Sequence, residues 1–229
     1  MDIEKFVINI GRQLGSGGRI IGKQLAHDFG IAYFDKEILT MAAKESGICT
    51  EIFEKSDEHK GLFRTVFGGI FPFFGSGAGD FYNNQISDES LFRIQSEAIR
   101  KAAERESCVF IGRCADYVLR DNPRCVNIFI SADPPVYFVD EKYIIGLQTG
   151  KHSRQIPRLE HTARKMAERG DENRANFYNF YSSGTWGAAD TYHLCINSSV
   201  LGEAGTVEFI KQFIRLKLGL PADYGCSAE

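Results

Sequence analysis

The densest chemistry in the sequence lies between Gly11 and Lys23, "GRQLGSGGRIIGK". An apolar run, Phe6–Ile10, precedes it, and Ile21, Leu25 and Phe29 follow at four-residue spacing. A strand, a glycine turn and a helix offer an anion two things: main-chain N–H groups without partners and the positive end of a helix dipole. Gly15, Ser16, Gly17 and Gly18 would wrap such a group, with Arg12 and Arg19 as nearby cations. The lysine of a standard phosphate loop is missing, and Gly18 stands where it should follow the last loop glycine. The bland alternative is a tight strand-to-helix turn with no ligand.

Two unrelated sites fit these glycines. One is a phosphate loop for ATP; the other is the G-x-x-x-G-x-G turn of dinucleotide-dependent short-chain dehydrogenases, here Gly11, Gly15 and Gly17. Those dehydrogenases need a lysine four residues after the catalytic tyrosine, to lower its pKa. None of the nine tyrosines has a lysine at that place, so the dehydrogenase reading falls. A second phosphate-loop alignment, Gly17 to Gly22 and Lys23, would force "RIIGK" into a loop although its apolar spacing is helical. Lys23 then belongs on a solvated helix face.

These side chains need elements to hold them. Helix is expected over Gly18–His27, stopped by Gly30, and a short strand over Ile31–Phe34, ending at Asp35. Lys36–Ser46 reads as helix. Asp88–Glu106 is a longer helix, with Leu91, Gln95, Ala98 and Ala102 at core spacing. Strands are expected at Cys108–Ile111, Cys125–Ile130 and Tyr192–Ile196, and helix over Glu160–Ser182, broken at Gly170. Glu203–Leu218 closes the chain as an amphipathic helix. Strands alternating with helices imply an α/β fold with a parallel sheet covered on both faces.

A chain of 229 residues suits one such domain, over 1–218, with 219–229 as a tail. Net charge −3 gives no basic footprint for nucleic acid. No signal-peptide pattern and no run of membrane-spanning length appear. The six cysteines form no C-x-x-C pair and no metal spacing with the histidines, so no metal ligands are assigned; reduced thiols and a cytoplasmic location are expected. Gly61–Gly79 carries six glycines and five phenylalanines. It reads as a loop tucked on the core, or as a flap or contact to a second copy of the chain, a homodimer. Lys151–Arg174 carries a local charge of +3.

Four segments, in order, resemble the cytidylate kinase-like proteins, a nucleoside monophosphate kinase branch of the P-loop NTPases. They are "INIGRQLGSGGRIIGKQLAHDFGIAYFDKEIL", "VFIGRCADYVLR", "GDENRANFYNFYSSGTWG" and "YHLCINSSVLG". The resemblance implies a five-stranded parallel sheet with a helical lid (151–187) and an acceptor-side flap (49–87). It implies ATP and Mg²⁺ as cofactors and a nucleoside monophosphate, CMP first among them, as acceptor. The alternatives are a nucleotide-binding module with little turnover, or a kinase for another small phosphate acceptor.

The resemblance also distributes roles. Arg12, Gly15, Ser16, Gly17, Gly18 and Arg19 would bind ATP, with Asn197 and Ser198 in the loop at its adenine; Asn197–Ser199 is equally a plain helix cap. Arg19 or Arg12 would supply the missing lysine's charge. Arg113, after the third strand, would hold the acceptor phosphate, with Cys114 where the family has Asp; its alternative partner is Asp116 or Asp35. Asp35 would touch the acceptor or orient Mg²⁺, or else cap a helix. Arg169 and Arg174, with Asp171 between them, match the lid arginines, and the break at Gly170 would turn both inward. Arg19, Arg169 and Arg174 are therefore the catalytic candidates. "NFYNFY" and Trp186 read as core packing before base stacking.

Overall fold

In a computed structural model, the structure describes residues 3–35, 88–133 and 156–225. Five strands are described: β1 (Val7–Arg12), β2 (Ala32–Phe34), β3 (Cys108–Ile111), β4 (Cys125–Ser131) and β5 (Leu194–Asn197). All pair in parallel, in the order β2-β3-β1-β4-β5. The helices are α1 (Gly18–Phe29), α2 (Asp88–Arg105), α3 (Ala115–Val118), α4 (Ile156–Tyr181) and α5 (Ser198–Leu218). The expected parallel α/β sheet is the observed one.

β1 runs through the middle because both of its faces are apolar, as a parallel strand buried on two sides requires. Ile8 and Ile10 join Ile21 and Leu25 of α1 and Ile210 and Ile214 of α5 in one core. Val7 faces the other way, with Ala98, Ile99 and Ala102 of α2. Each such Ile contributes about 1.5–3 kcal/mol through burial. Asn9 is the polar residue of β1's buried stretch. It sits in register with Asn127 of β4 and donates to it at 2.9 Å.

Most element ends shift by a few residues from the sequence reading, and three features change more. α4 runs unbroken through Gly170, so the expected break is absent. Twenty-six helical residues tolerate one glycine at a cost of about 1 kcal/mol. α5 starts at Ser198 instead of Glu203, because Asn197 caps it, and the kink falls at Gly202 (φ 65°, ψ 175°). Among the described residues beyond Leu218, Leu220 and Tyr224 pack on the core, and Tyr224 stacks on Phe29 at 5.6 Å. The expected stop at Gly30 is present, in the left-handed region (φ 63°) with its N–H on Ala26 and His27 carbonyls.

The helix expected over 36–46, the flap over 49–87 and the glycine- and phenylalanine-rich run within it lie outside the described residues, as does the start of the 151–187 region. Among the described residues no helix is long and apolar enough to cross a membrane.

Candidate functional site

The glycine turn connects β1 to α1 as the sequence implies. Gly15 (φ 81°) and Gly17 (φ 69°) take left-handed conformations that bend the chain round into the helix. Gly17 is the N-cap of α1 and supplies no side-chain acceptor. The first intrahelical bond is Ile21 N–H to the Gly17 carbonyl, at 2.9 Å. The amides of Gly18, Arg19 and Ile20 therefore precede the helical ladder and suit an anion.

The turn is fixed from behind. Buried Ser16 donates its hydroxyl to the Gln13 carbonyl at 3.0 Å. The Ser198 hydroxyl lies 2.8 Å from the Ser16 carbonyl and 3.1 Å from that of Ser131. The Gln13 amide donates to Ile130, and its side-chain oxygen accepts from Ala132. The loop is thus held against the carboxyl end of β4 and the start of α5. The ends of parallel strands are where ligands bind in open α/β sheets.

Four guanidinium groups from four places in the fold meet at this loop. Arg12 ends β1, Arg19 lies in the first turn of α1, Arg113 follows β3 and Arg174 projects from α4. Loss of water, then the charges of Arg174, Arg113 and Arg19, hold the Arg12 guanidinium well below its ordinary pKa. Arg19 donates to Asp35 at 2.7 Å, an ion pair with a half-exposed arginine and a buried carboxylate. Arg174 donates to Asp171 at 2.7 Å, and the same carboxylate oxygen accepts the Leu14 amide of the loop at 2.8 Å. Burial pushes the Asp171 carboxyl upward, and the bonds from Leu14 and Arg174 and the charge of Arg12 oppose that without reversing it.

Arg113 sits in a strained turn. Gly112, Arg113 and Cys114 all have positive φ (71°, 64° and 54°). A non-glycine residue pays about 1–2 kcal/mol there. The turn sends the guanidinium to within 5.8 Å of the Phe177 ring on α4. Cys114 is buried, and burial raises its thiol to about 12. Behind it, Tyr178 donates to Asp116, whose carboxyl burial holds above the usual range.

The structure brings Arg12, Arg19, Asp35, Arg113 and Arg174 to one mouth. It does not bring Arg169, which is exposed on the unbroken helix; five residues along, Arg174 is turned by about 140°. The expectation that a break at Gly170 turns both arginines inward therefore fails. Asn197 behaves as the helix cap: its side chain accepts from the Ser199 amide at 2.9 Å and donates to Asp133 at 2.8 Å. "NFYNFY" packs as a cluster, with Tyr178 buried and Tyr181 stacked on Phe92 at 4.1 Å; Trp186 lies edge-on to Phe129. Sequence reasoning missed Leu14, because a main-chain donor carries no side-chain signal. It also missed that Ser198 grips the loop from 182 positions away.

The residues present fit a polyphosphate. For Mg²⁺ they fit poorly: among the described residues no group of three or more potential ligands gathers, Ile20 offers no hydroxyl, and Asp35 is engaged by Arg19.

A glycine loop at the start of the first helix, under a five-stranded parallel sheet and facing clustered arginines, defines a P-loop kinase-type protein. Residues 7–200 match the model of the cytidylate kinase-like family, and the chain belongs to that family. Membership supports a phosphotransferase, moving a phosphoryl group to a small substrate. Among solved structures the chain is similar to an uncharacterized protein from Eubacterium ventriosum ATCC 27560 (26% identity, TM-score 0.62, 92% of this chain and 98% of that one). It is more distantly similar to a shikimate kinase from Bacteroides thetaiotaomicron (16%, TM-score 0.48, 92% and 98%). A gluconokinase from Sinorhizobium meliloti 1021 stands further off (12%, TM-score 0.45, 94% and 94%). No curated protein matches the sequence.

Proposed function

We propose that this chain transfers the γ-phosphoryl group of ATP to a nucleoside monophosphate, with CMP the first acceptor to try. One observation carries the reading: four guanidinium groups gather at the glycine turn, Arg19 paired with Asp35 and Arg174 with Asp171. Guanidinium groups converging from four elements are suited to two phosphate-bearing molecules meeting at one point. The loop amides and Arg12 hold the donor, Arg113 the acceptor phosphate, and Arg174 the group in transit.

In the reaction an oxygen of the acceptor phosphate forms a bond to the γ-phosphorus while the bond to the β-bridging oxygen breaks, and ADP leaves. The acceptor oxygen is already anionic at neutral pH, so no side chain must remove a proton. Phosphoryl transfer asks chiefly for position and positive charge, which arginines provide. Mg²⁺ would neutralise phosphate charge when bound; no step here is assigned to it. α4 would act as the lid, and three buried free thiols, Cys108, Cys114 and Cys125, suit a cytoplasmic protein.

A second reading is favoured by Gly18 and by exposed Ile20, which leave the loop without lysine or hydroxyl. It makes the chain a nucleotide-binding module. ADP release is to be measured with ATP, Mg²⁺ and a panel of nucleoside monophosphates and other small acceptors. Release with a nucleoside monophosphate is expected. Release with non-nucleotide acceptors alone would sink the substrate class, and ATP binding without release favours the module.

A further inference from the structure

We infer that Arg12 takes the catalytic place of the missing loop lysine, and that Gly18 is glycine because the base of that side chain lies against it. This rests on the donor and acceptor reading above and names the group that joins the two.

The geometry is reciprocal. A Cβ built on Gly18 would lie 2.7 Å from Arg12 Cβ and 3.0 Å from its Cγ, closer than real Cβ atoms come. A Cβ built on Gly112 would fall on Arg12 Nη1. The arginine stem therefore passes over the start of α1, and its guanidinium ends above the end of β3, next to Arg113. A lysine at 18 would begin in the space that stem fills. On this backbone a side chain at 18 meets the Cβ of any side chain at 12, so the glycine at the lysine position goes with a long cation reaching in from 12.

The charge is also held in readiness. Among the described residues Arg12 makes no hydrogen bond and no ion pair. Asp171 feels it, but that carboxylate already accepts from Arg174 and Leu14. A guanidinium that has lost water and is surrounded by three like charges is costly to keep unless an anion arrives. Its position, between the donor loop at the end of β1 and the acceptor arginine at the end of β3, is where the transferring group must pass. The connections that follow these adjacent strands leave in opposite directions, to β2 and to β4, which marks the crevice for ligands. Arg19 differs: Asp35 balances it.

The test uses wild type, Arg12→Ala to remove the charge, Arg12→Gly to remove the Cβ contact as well, Gly18→Lys, and the double variant Arg12→Gly/Gly18→Lys. ATP affinity is read by calorimetry and turnover by ADP release. Arg12→Ala should weaken ATP binding at least tenfold, by order of magnitude, and lower turnover by about 10²–10³. Gly18→Lys alone should also be impaired, since its side chain meets the Arg12 stem. The double variant should regain about tenfold or more over Arg12→Gly, the lysine having been given its usual place. Gly18→Ala should lower Tm in wild type and lower it less in the Arg12→Gly background, a readout independent of any ligand. Wild-type affinity in a folded Arg12→Ala overturns the inference, as does a folded double variant no better than Arg12→Gly. If wild type binds ATP yet releases no ADP with any acceptor, the kinase reading fails, and affinity alone decides for Arg12.

Discussion

The Leu14 amide donates to the Asp171 carboxylate at 2.8 Å, so a loop N–H is capped by a helix residue 157 positions later. Because the same oxygen holds Arg174, one carboxylate both docks α4 on the loop and aims the arginine. Asp171→Ala should therefore free both. A charged hydrogen bond contributes about 1.5–3 kcal/mol, which is roughly 10–150-fold in opening. Hydrogen exchange at Leu14 should quicken by that order, while core amides of β1 stay protected. Unchanged protection at Leu14 removes Asp171 from this role. The raised carboxyl also fixes a sign: Asp171 takes up its proton at higher pH than a solvated aspartate, so the contact should loosen on acidification before ordinary carboxylates titrate.

Arg113 is kept in the left-handed region at φ 64°, and stability and binding should part company there. Arg113→Gly removes the strain; Arg113→Ala keeps it. The glycine variant should be more stable than the alanine variant by about 1–2 kcal/mol in urea melts. Both should lose acceptor affinity alike, since neither has a guanidinium. Equal stability of the two variants would show that the turn is unstrained.

The grip of Ser198 on the loop is separable from chemistry. Ser198→Ala leaves the buried Ser16 carbonyl without this partner, which should cost about 1–3 kcal/mol of stability. ATP affinity should fall with it, since the loop is then less fixed. A variant with wild-type Tm would reduce Ser198 to a filler of space.

Much of this was readable in the residues, for physical reasons. β3 came out at its observed bounds because a four-residue apolar run is buried on both faces. α1 came out because Ile21, Leu25 and Phe29 recur on one face and Gly30 ends it. The loop was readable because glycine spacing reports backbone shape directly. What failed depended on contacts between distant segments. Arg169 and Arg174 look equivalent in sequence, yet an unbroken helix turns one inward and leaves the other in water. Asp171 reads as one acid in a charged run until Leu14 is placed beside it. Gly18 reads as a loss, and its reason lies in Arg12, six residues earlier and on another element.

The buried pair Lys211 and Asp28 ties α5 to the end of α1, and it supports a last prediction. Each side chain is only 5% exposed, with Nζ 2.9 Å from the carboxylate. Lys211 also reaches Glu208 at 2.8 Å, and Gln24 donates to Asp28 at 2.6 Å. Burial alone would raise the Asp28 carboxyl, but the bonds from Lys211, Gln24 and His27 bring it below its ordinary value. Burial would lower Lys211, and the bonds to Glu208 and Asp28 raise it instead. The signs follow. Asp28 has a depressed folded value, so its contribution is present above the ordinary carboxylate range and lost as pH falls through the folded value. Lys211 has a raised one, so its contribution is present below about 10.4 and lost as pH rises through the folded value. Lys211→Met strands a buried carboxylate and should cost about 3–5 kcal/mol at neutral pH, whereas Asp28→Leu with Lys211→Met should come close to wild type. Urea melts from acid to alkaline pH decide it. Both flanks of the wild-type profile should flatten in the double variant. A Lys211→Met protein as stable as wild type would show that the pair lies open to water, and the tie between α1 and α5 would then be apolar packing alone.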